Sequence, residues 1–419
     1  MITTINNKHN KLNVPNLRFP EFSGEWEKKS LGEIGDSFIG LTYRPTDVVS
    51  EGGLIVFRSS NIQNGCMDYK DIVRVNKNVK EKLITKKDDL LVCARNGSAR
   101  LIGKNAILHE ADANQTFGAF MMVFRSDKNH FVHQLLNTRR YSSQVSENLG
   151  ARINQITSSD LSSFEFFFPT ENSEMNKIAA LLDLLDERIT TQNKIIEDLK
   201  KLKSAIVEKV FCSPNQEYPM CRIEGFEHAL STYKMSDFSS RIATKNKDSK
   251  CSLVLTIAAQ YGLVNQESFF NKSVASENLT GYYLLHKGEF AYNRSYSAGY
   301  DWGAVKRLEN YDEGVLSTLY ICFKINETIV DSDYLAYYFE STKWHRGLSD
   351  IAGEGARNHG LLNVSMADYF NTKHRFPVIE EQKAIAKILN AITEKERKAT
   401  LLGGCFQKQK QYLLRQMFI

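Results

Sequence analysis

The sequence FPTENSEMNKIA at residues 168–179 returns as FPVIEEQKAIA at residues 376–386, with one residue fewer in the second copy. From Ile178 and Ile385 onward, the two copies keep one register, at an offset of 207 residues, to the ends of both segments. An internal repeat of this kind identifies two copies of one structural unit. We therefore predict a tandem of two units, each a long globular part followed by a helix.

Each Phe-Pro pair introduces a long helix, because proline disfavours a helical residue before it and fits the first helical turn. In the first copy the apolar residues, with Gln192 among them, recur at spacings of four and three, which is typical of a coiled-coil seam. In the second copy the seam is weaker, and Gly403-Gly404 predict a kink or a frayed segment, since each glycine costs about 1 kcal/mol relative to alanine. The seam residues are Ile178, Leu182, Leu185, Ile189, Ile196 and Leu199 in the first helix, and Ile385, Leu389 and Ile392 in the second.

Two apolar stripes in one chain can cover each other. We expect an antiparallel intramolecular coiled coil, because the second globular part is long enough to bring the chain back to the first helix. A coiled coil between two copies of the chain is the alternative.

The globular parts have the pattern of mixed α/β domains. Short β-branched or aromatic runs bounded by Gly, Asn and Asp predict strands at 90–94, 120–124, 253–257 and 319–323. Apolar spacings of three and four predict helices at 130–137 and 333–340. The predicted division is a tail at 1–16, a first α/β domain at 17–168, a helical region at 169–213, a second α/β domain at 214–376 and a second helical region at 377–419.

Composition excludes several classes of protein. Hydrophobic residues make up 42% and charged residues 25% of the chain, as in globular proteins, and no apolar run is long enough for a membrane span. The first residues have no apolar core of a secretory signal, so we expect a cytoplasmic protein. Seven scattered cysteines without a C-x-x-C pair indicate reduced thiols and no metal site. A net charge of +5 permits nucleic-acid binding without indicating it.

The motifs of the common enzyme classes are missing from the sequence. Residues 97–105 resemble a phosphate-binding loop but have the wrong glycine spacing and end in Asn, and residues 353–360 lack the third glycine of a dinucleotide site. Neither H-E-x-x-H nor G-x-S-x-G occurs. The sequence therefore predicts a protein that binds and positions rather than catalyses.

Several loops that follow predicted strands are rich in side chains that hydrogen-bond to base edges, where Arg pairs with guanine and Asn or Gln with adenine. Asn, Ser and Gly also form turns for their own sake, and a lone Arg is usually a solvated surface charge. The equivalent placement of an Arg-Asn-Ser-Gly loop in both units favours DNA contact. The candidates in the first unit are Arg58, Ser59, Asn61, Arg95, Asn96, Ser98, Arg100, Lys104, Asn114 and Gln115. Those in the second are Gln260, Asn293, Arg294, Ser295, Tyr296, Ser297, Tyr300, Arg357, Asn358 and His359.

The whole chain resembles the specificity subunit of Type I restriction-modification systems. The residues that carry the resemblance are VPNLRFPEF at 14–22, GEW at 24–26, GEFAYN at 288–293, GARNHGLLNVS at 355–365, and the signature Pro377, Glu381, Gln382 and Ile385. The first copy departs from this signature, with Glu174-Met175 in place of Glu-Gln.

The resemblance implies two α/β target-recognition domains separated by two long helices, each domain reading one half of a bipartite double-stranded DNA target. It implies that the helices set the spacer and dock two methyltransferase subunits, and that restriction/motor subunits join them. S-adenosylmethionine, ATP and magnesium would then bind the partner subunits and not this chain. A self-contained DNA-modifying enzyme with an unrecognised site and a protein-binding coiled-coil scaffold are the alternatives.

Overall fold

The computed structural model describes residues 3–4, 13–151, 154–272, 278–295, 299–351, 357–358, 361–362 and 364–419. The chain divides into two compact units, residues 1–193 with 401–419 and residues 194–400. Both units are mixed α/β, as the sequence predicts. The division cuts each long helix, whereas the sequence-based boundaries separate the helices from the globular parts.

The first globular part is built from short strands and four short helices that precede the first long helix. Its strands are β1 (Thr3–Thr4), β2 (Leu17–Arg18), β3 (Glu27–Ser30), β4 (Asp36–Ile39), β5 (Val48–Val49), β6 (Leu54–Phe57), β7 (Ile62–Gln63), β8 (Cys66–Met67), β9 (Arg74–Val75), β10 (Leu90–Cys93), β11 (Asn105–Ile107), β12 (Thr116–Phe117), β13 (Met121–Arg125) and β14 (Glu165–Phe168). The helices are α1 (Leu31–Ile34), α2 (Asn129–Leu135), α3 (Arg139–Ala151), α4 (Ser158–Ser163) and the long α5 (Asn172–Val210).

The second globular part follows the same plan and leads into the second long helix. Its strands are β15 (Ser231–Lys234), β16 (Ser239–Arg241), β17 (Leu255–Ala258), β18 (Gly262–Asn265), β19 (Tyr283–His286), β20 (Phe290–Asn293), β21 (Ala304–Arg307), β22 (Glu313–Leu316), β23 (Ile321–Ile325), β24 (Arg357–Asn358), β25 (Leu361–Leu362) and β26 (Lys373–Phe376). The helices are α6 (Met235–Phe238), α7 (Gln266–Phe270), α8 (Ser332–Tyr338), α9 (His345–Ser349), α10 (Met366–Asn371) and the long α11 (Ile379–Met417).

A four-stranded antiparallel sheet forms the centre of each unit. Its strand order is β11-β10-β13-β4 in the first unit and β16-β23-β20-β21 in the second. The two central strands pair through Leu90 with Phe124 in one unit and Phe290 with Phe323 in the other. The predicted strands and the helices α2 and α8 are confirmed, with bounds that shift by at most two residues.

Both faces of the first sheet are covered. Leu90 and Val92 lie in one apolar core, while Leu91 and Cys93 lie in another on the opposite face. All four residues of β10 are therefore buried, and the strand appears in the sequence as an unbroken apolar run rather than an alternating one.

A two-stranded antiparallel ribbon connects each globular part to its helix. Strand β3 pairs with β14 through Glu27 and Phe168, and β15 pairs with β26 through Ser231 and Phe376. Each phenylalanine is buried and immediately precedes the proline that starts the helical region. The ribbon thus fixes the direction in which the chain enters the helix.

The long helices are equivalent residue by residue. Each has 39 residues, and the ends of α11 lie 207 positions after the ends of α5. Two long helices at the predicted places are therefore present. Helix α11 continues through Gly403-Gly404, so the predicted frayed segment does not occur; Gly403 is buried, and packing outweighs the low helical propensity of glycine.

Each unit buries the apolar face of a helix start and of a helix end. In the first unit, the start of α5 contributes Ile178, Leu182 and Leu185 to the main core, which also contains Met417 and Phe418. Ile189 packs against this core from a partly buried position.

In the second unit, the start of α11 contributes Ile385 and Leu389 to a core that also contains Val207 and Phe211. Ile196, Leu199 and Ile392 are half-buried. The seam residues at the helix starts are therefore buried in the protein's own cores.

Candidate nucleic-acid interface

Three loops of the first unit meet at one edge of the central sheet, where β10 ends. The backbone amides of Ala94 and Arg95 both donate to the carbonyl oxygen of Phe120, at 2.9 and 3.0 Å. The side-chain amide of Asn96 donates to the Ser59 hydroxyl at 3.0 Å. These bonds join the loop after β6, the loop after β10 and the turn before β13 into one surface, which we call the first polar edge.

Asn96 organises this edge from its centre. Besides its bond to Ser59, its side-chain oxygen accepts a hydrogen bond from the backbone amide of Ser98 at 3.0 Å. Both functional ends of the amide are therefore engaged inside the protein. Asn96 positions the loop that carries Arg95 and Arg100.

Arg95 and Arg100 are the exposed cations of the first polar edge. The Arg95 guanidinium carbon lies 5.4 Å from the centroid of the Phe120 ring, whose side chain is 58% exposed. Other arginines of this unit are paired, as Arg58 is with Asp71 at 2.6 Å, but among the described residues neither Arg95 nor Arg100 has a carboxylate partner. Both can accept a phosphate or a guanine edge as their counterpart.

Several predicted residues of the first unit are engaged in local structure. Asn61 is 1% exposed, and its side-chain amide donates to the carbonyl oxygens of Asp68 and Asp71 at 2.9 Å each. The Lys104 ammonium donates to the carbonyl oxygen of Ile62 at 2.8 Å. The Asn61 side chain thus stabilises its own turn. Turn formation was the alternative to DNA contact that the sequence left open.

Asn114 and Gln115 immediately precede β12. Asn114 is exposed and adopts a left-handed backbone with φ of 61°, a conformation that asparagine tolerates well. The side-chain oxygen of Gln115 accepts a hydrogen bond from the Ile55 amide at 2.7 Å, near the start of β6. The first polar edge instead contains Ser59, which follows the end of β6. Gln115 is therefore bonded at the opposite end of this strand.

The second unit has an equivalent loop after β20. The Asn293 side-chain oxygen accepts a hydrogen bond from the Ser295 amide at 3.0 Å, the same turn that Asn96 forms with Ser98. The carbonyl oxygen of Arg294 accepts a hydrogen bond from the Leu362 amide at 3.0 Å. We call this surface, with the turn before β23, the second polar edge.

Arg294 differs from Arg95 in being half-buried and bonded to the backbone. Its guanidinium donates to the carbonyl oxygens of Val364 and Leu319 at 3.0 and 3.3 Å. Leu319, in the turn before β23, is 63% exposed. Arg294 therefore holds this turn in place.

Two other predicted residues lie in neighbouring parts of the second unit. Gln260 is exposed beside Tyr261 at the tip of the hairpin formed by β17 and β18. Tyr300 is partly buried against the neighbouring core, and its burial raises the pKa of its hydroxyl, so it stays a neutral hydrogen-bonding group. Among the predicted residues, Tyr296, Ser297 and His359 lie outside the described residues, as do the side chains of Arg357 and Asn358.

The sequence did not single out Phe120 or Leu319. Both were assigned to the strands predicted at 120–124 and 319–323, whereas β13 begins at Met121 and β23 at Ile321. The predicted strands therefore began too early and included both residues, which lie in the turns before the strands. Gly118, two residues before Phe120, was the local signal of a turn.

Cys93, at the end of β10, lies behind the first polar edge. Burial raises the pKa of the Cys93 thiol to about 11, so the thiol stays protonated at neutral pH. In the part of the chain that the structure describes, no group of three or more His, Cys, Asp or Glu side chains could hold a metal ion. No described helix is both long enough and apolar enough to cross a bilayer.

The long helices expose a second set of apolar side chains, distinct from the buried seam. Each is at least 43% exposed, in a protein whose apolar side chains are otherwise mostly covered. These residues are Leu184, Ile195 and Leu202 on α5, and Ile388, Leu401, Leu402 and Tyr412 on α11.

Comparison with known proteins finds relatives of part of this chain. Residues 23–201 match the model of the Type I restriction modification DNA specificity domain. The chain is 27% identical over 212 residues to the Type I restriction enzyme EcoKI specificity subunit of Escherichia coli (strain K12), covering 48% of this chain and 45% of that protein. It is 27% identical over 196 residues to the Type I restriction enzyme StySPI specificity subunit of Salmonella potsdam, covering 43% and 42%.

A solved structure extends the likeness over almost the whole chain at the level of the fold. The Type-I restriction-modification system S subunit from M. genitalium superposes with a TM-score of 0.59 and 15% identity, covering 97% of this chain and 99% of that one. Over residues 23–201 the chain is thus similar to Type I restriction modification DNA specificity domains, and the solved structure shows a likeness of fold alone. The matched segments span less than half of the length of either curated relative.

Proposed function

We propose that this chain is the DNA sequence-specificity subunit of a Type I restriction-modification complex, in which each globular part reads one half of a bipartite double-stranded DNA target. The observation that carries the proposal is the occurrence of one polar edge in each unit, at equivalent ends of β10 and β20, with the first inside the matched family domain. Arg95, Arg100 and the half-buried Arg294 supply the groups that recognise phosphates and guanine.

The other predicted residues take part in this proposal according to their surroundings. Asn96 and Asn293 shape the reading loops through their bonds to Ser59, Ser98 and Ser295, while Gln260 and Tyr300 belong to neighbouring parts of the second unit. Arg58, Asn61, Lys104 and Gln115 support the loops through bonds inside the first unit.

In the proposal, α5 and α11 form an antiparallel intramolecular coiled coil that sets the spacer between the half-sites. Two observations support it, one from each unit. In the first, the start of α5 shares a core with Met417 at the end of α11, and the Lys410 ammonium donates to Asp186 of α5 at 2.5 and 2.7 Å. In the second, the start of α11 shares a core with Val207 near the end of α5.

The length of the helices sets an upper limit to this spacer. A helix of 39 residues is about 58 Å long at about 1.5 Å per residue. Tilt of the helices relative to the DNA axis would shorten the interval between the half-sites.

Two methyltransferase subunits would dock on the helices, and restriction/motor subunits would join through them. The buried seam side chains, such as Leu182 and Leu389, are not free for this contact, so we assign it to the exposed apolar set that includes Ile195 and Leu402. The partners would bind S-adenosylmethionine, ATP and magnesium. The complex would act in the cytoplasm, where the DNA lies.

The experiment is to express this chain with the methyltransferase subunit encoded beside it and to map methylated adenines in host DNA by single-molecule sequencing. A split motif with a fixed spacer is the expected result. A stable complex without any methylation motif would favour the protein-binding scaffold. Methylation or cleavage of DNA by the purified chain alone would favour a self-contained enzyme.

A further inference from the structure

The turn that carries Phe120 is rigid, although the side chain points into solvent. Besides the two bonds that its carbonyl oxygen accepts, the flanking residues are fixed: the Ala119 amide donates to the Leu41 carbonyl at 2.9 Å, and the Met121 amide donates to the Gly118 carbonyl at 2.8 Å. Exposure of the ring is therefore a property of a well-defined turn.

A single exposed apolar side chain is common on protein surfaces and by itself indicates no contact. Phe120 is unusual because of its surroundings. It lies at the centre of the first polar edge, and the Arg95 guanidinium covers part of its ring. The ring thus limits the positions that Arg95 can take, while 58% of the side chain remains open to a ligand.

The second unit repeats this combination with different residues. Leu319 precedes β23 by two residues, as Phe120 precedes β13 by one, and it is 63% exposed. The arginine of the second polar edge, Arg294, donates to the carbonyl oxygen of Leu319. Both units therefore place an exposed apolar residue in contact with an arginine at the equivalent edge of the central sheet.

Resting on the proposed function, we infer that Phe120 and Leu319 are specificity-determining residues that each contact the methyl group of a thymine in the major groove. Apolar contact with that methyl group and arginine pairing with guanine are complementary ways of reading neighbouring bases. Phe120 also restricts the Arg95 guanidinium, so that less conformational freedom is lost when it binds guanine. Each unit would read a thymine next to a guanine through its apolar residue and its arginine.

The test uses the full chain in complex with its methyltransferase subunit, and a DNA duplex that carries the motif found by methylation mapping. Replacing each thymine of the first half-site by deoxyuridine, one at a time, removes only the methyl group. For the unchanged protein, one such replacement is expected to weaken binding about threefold to tenfold, as loss of a buried methyl group predicts. In Phe120→Ala the same replacement is expected to have no effect, because the side chain that contacts the methyl group is gone.

Three further variants make the result specific. Phe120→Leu keeps an apolar side chain and should retain part of the sensitivity to deoxyuridine. Leu319→Ala should abolish the sensitivity in the second half-site only. Val48→Ala removes apolar atoms from a side chain that is 44% exposed on β5, outside the polar edge, and should leave both half-sites unchanged.

The outcomes separate this inference from the proposed function. If the unchanged complex reads a bipartite motif but Phe120→Ala keeps the full sensitivity to deoxyuridine, the inference is wrong and the proposed function stands. If Phe120→Ala weakens assembly with the methyltransferase subunit and leaves DNA reading intact, Phe120 contacts the partner protein and the inference is also wrong. If the unchanged complex reads no motif, the proposed function fails, and the inference fails with it.

Discussion

Arg18 and Glu174 form a bidentate ion pair that joins the beginning of the first globular part to the first turn of α5. The Arg18 Nε and Nη2 atoms lie 2.7 and 2.8 Å from the two carboxylate oxygens, and the side chains are 4% and 1% exposed. The guanidinium also donates to the carbonyl oxygens of Gly24 and Ser23 at 2.6 and 2.9 Å. Arg18 thus connects the helix start, through Glu174, to the backbone of residues 23–24.

The second unit repeats this pair with Arg222 and Glu381, at 2.9 and 2.8 Å. Glu381 lies 207 residues after Glu174, so the two carboxylates occupy equivalent positions on α11 and α5. Arg222 is more exposed than Arg18, at 18%. Each unit thus fixes the angle between its globular part and its helix by the same buried charge pair.

Arg18→Met should destabilise the first unit strongly, because it leaves the Glu174 carboxylate buried without its partner. Loss of one member of a buried pair typically costs about 3 to 5 kcal/mol in the free energy of unfolding. Urea unfolding followed by circular dichroism measures the change. Arg397→Met is the control, since its pair with Glu394 lies on the exposed face of α11, and its unfolding midpoint should be unchanged. A midpoint for Arg18→Met equal to that of the control would contradict the structural role of this pair.

Leu182→Ala and Leu389→Ala should have similar effects in the two units. Both leucines are fully buried at equivalent positions of α5 and α11, and a cavity of this kind costs about 2 to 5 kcal/mol. Hydrogen exchange separates the units: Leu182→Ala should reduce protection in β13, and Leu389→Ala should reduce it in β23. Ile195→Ala, at a side chain that is 43% exposed, should reduce neither. Equal loss of protection in both units from either leucine variant would argue against this assignment of the cores.

The long helices and central strands were predictable because their signals are local. The Phe-Pro pair and the spacing of Ile178, Leu182 and Leu185 determine a helix within one segment, and the apolar run at 90–94 determines a strand. The Arg18–Glu174 pair was not predictable, because it joins residues 156 positions apart and no local pattern records it.

The polar edge was predicted in part. Arg95 and Arg100 were selected because arginine pairs with guanine and because an equivalent loop follows the matching strand of the second unit. Asn61 was also selected as a side chain that can hydrogen-bond to a base edge. Its amide instead bonds within its own turn, and only the fold reveals these bonds. Phe120 was missed because an apolar residue beside a strand is ordinarily assigned to the core, and its exposure depends on where the strand begins.

Stability of the second unit should fall as the pH is lowered below about 6.5, the ordinary pKa of histidine. Burial lowers the pKa of His374 to about 3, and its two ring nitrogens are bonded to the Tyr338 and Thr372 hydroxyls at 3.1 and 2.8 Å. Between these two pKa values the unfolded chain binds a proton that the folded protein does not, so the contribution is complete above 6.5 and decreases as the pH falls.

The measurement is the free energy of unfolding at a series of pH values for the unchanged protein and for His374→Gln, which cannot be protonated. One histidine contributes a slope of about 1.4 kcal/mol per pH unit in this window. His374→Gln should therefore show a shallower decrease than the unchanged protein. His133, whose pKa burial lowers to about 4, lies in the first unit and retains its own contribution in both proteins. Parallel curves for the two proteins would mean that His374 does not stay neutral in the fold.

Arg95→Ala and Arg294→Ala should each relax one half-site and leave the other intact, because the two arginines lie on different units. Each loss should cost about 1 to 3 kcal/mol on the cognate site. Arg294→Ala should also lower stability, since its guanidinium holds Val364 and Leu319, whereas Arg95 contacts the exposed Phe120 ring and its removal should leave stability unchanged. Methylation mapping of each variant complex, together with its unfolding curve, distinguishes the two effects. Equal weakening at both half-sites by either variant would show that its arginine contacts phosphates without reading bases. Unchanged DNA binding by both variants would favour the protein-binding coiled-coil scaffold.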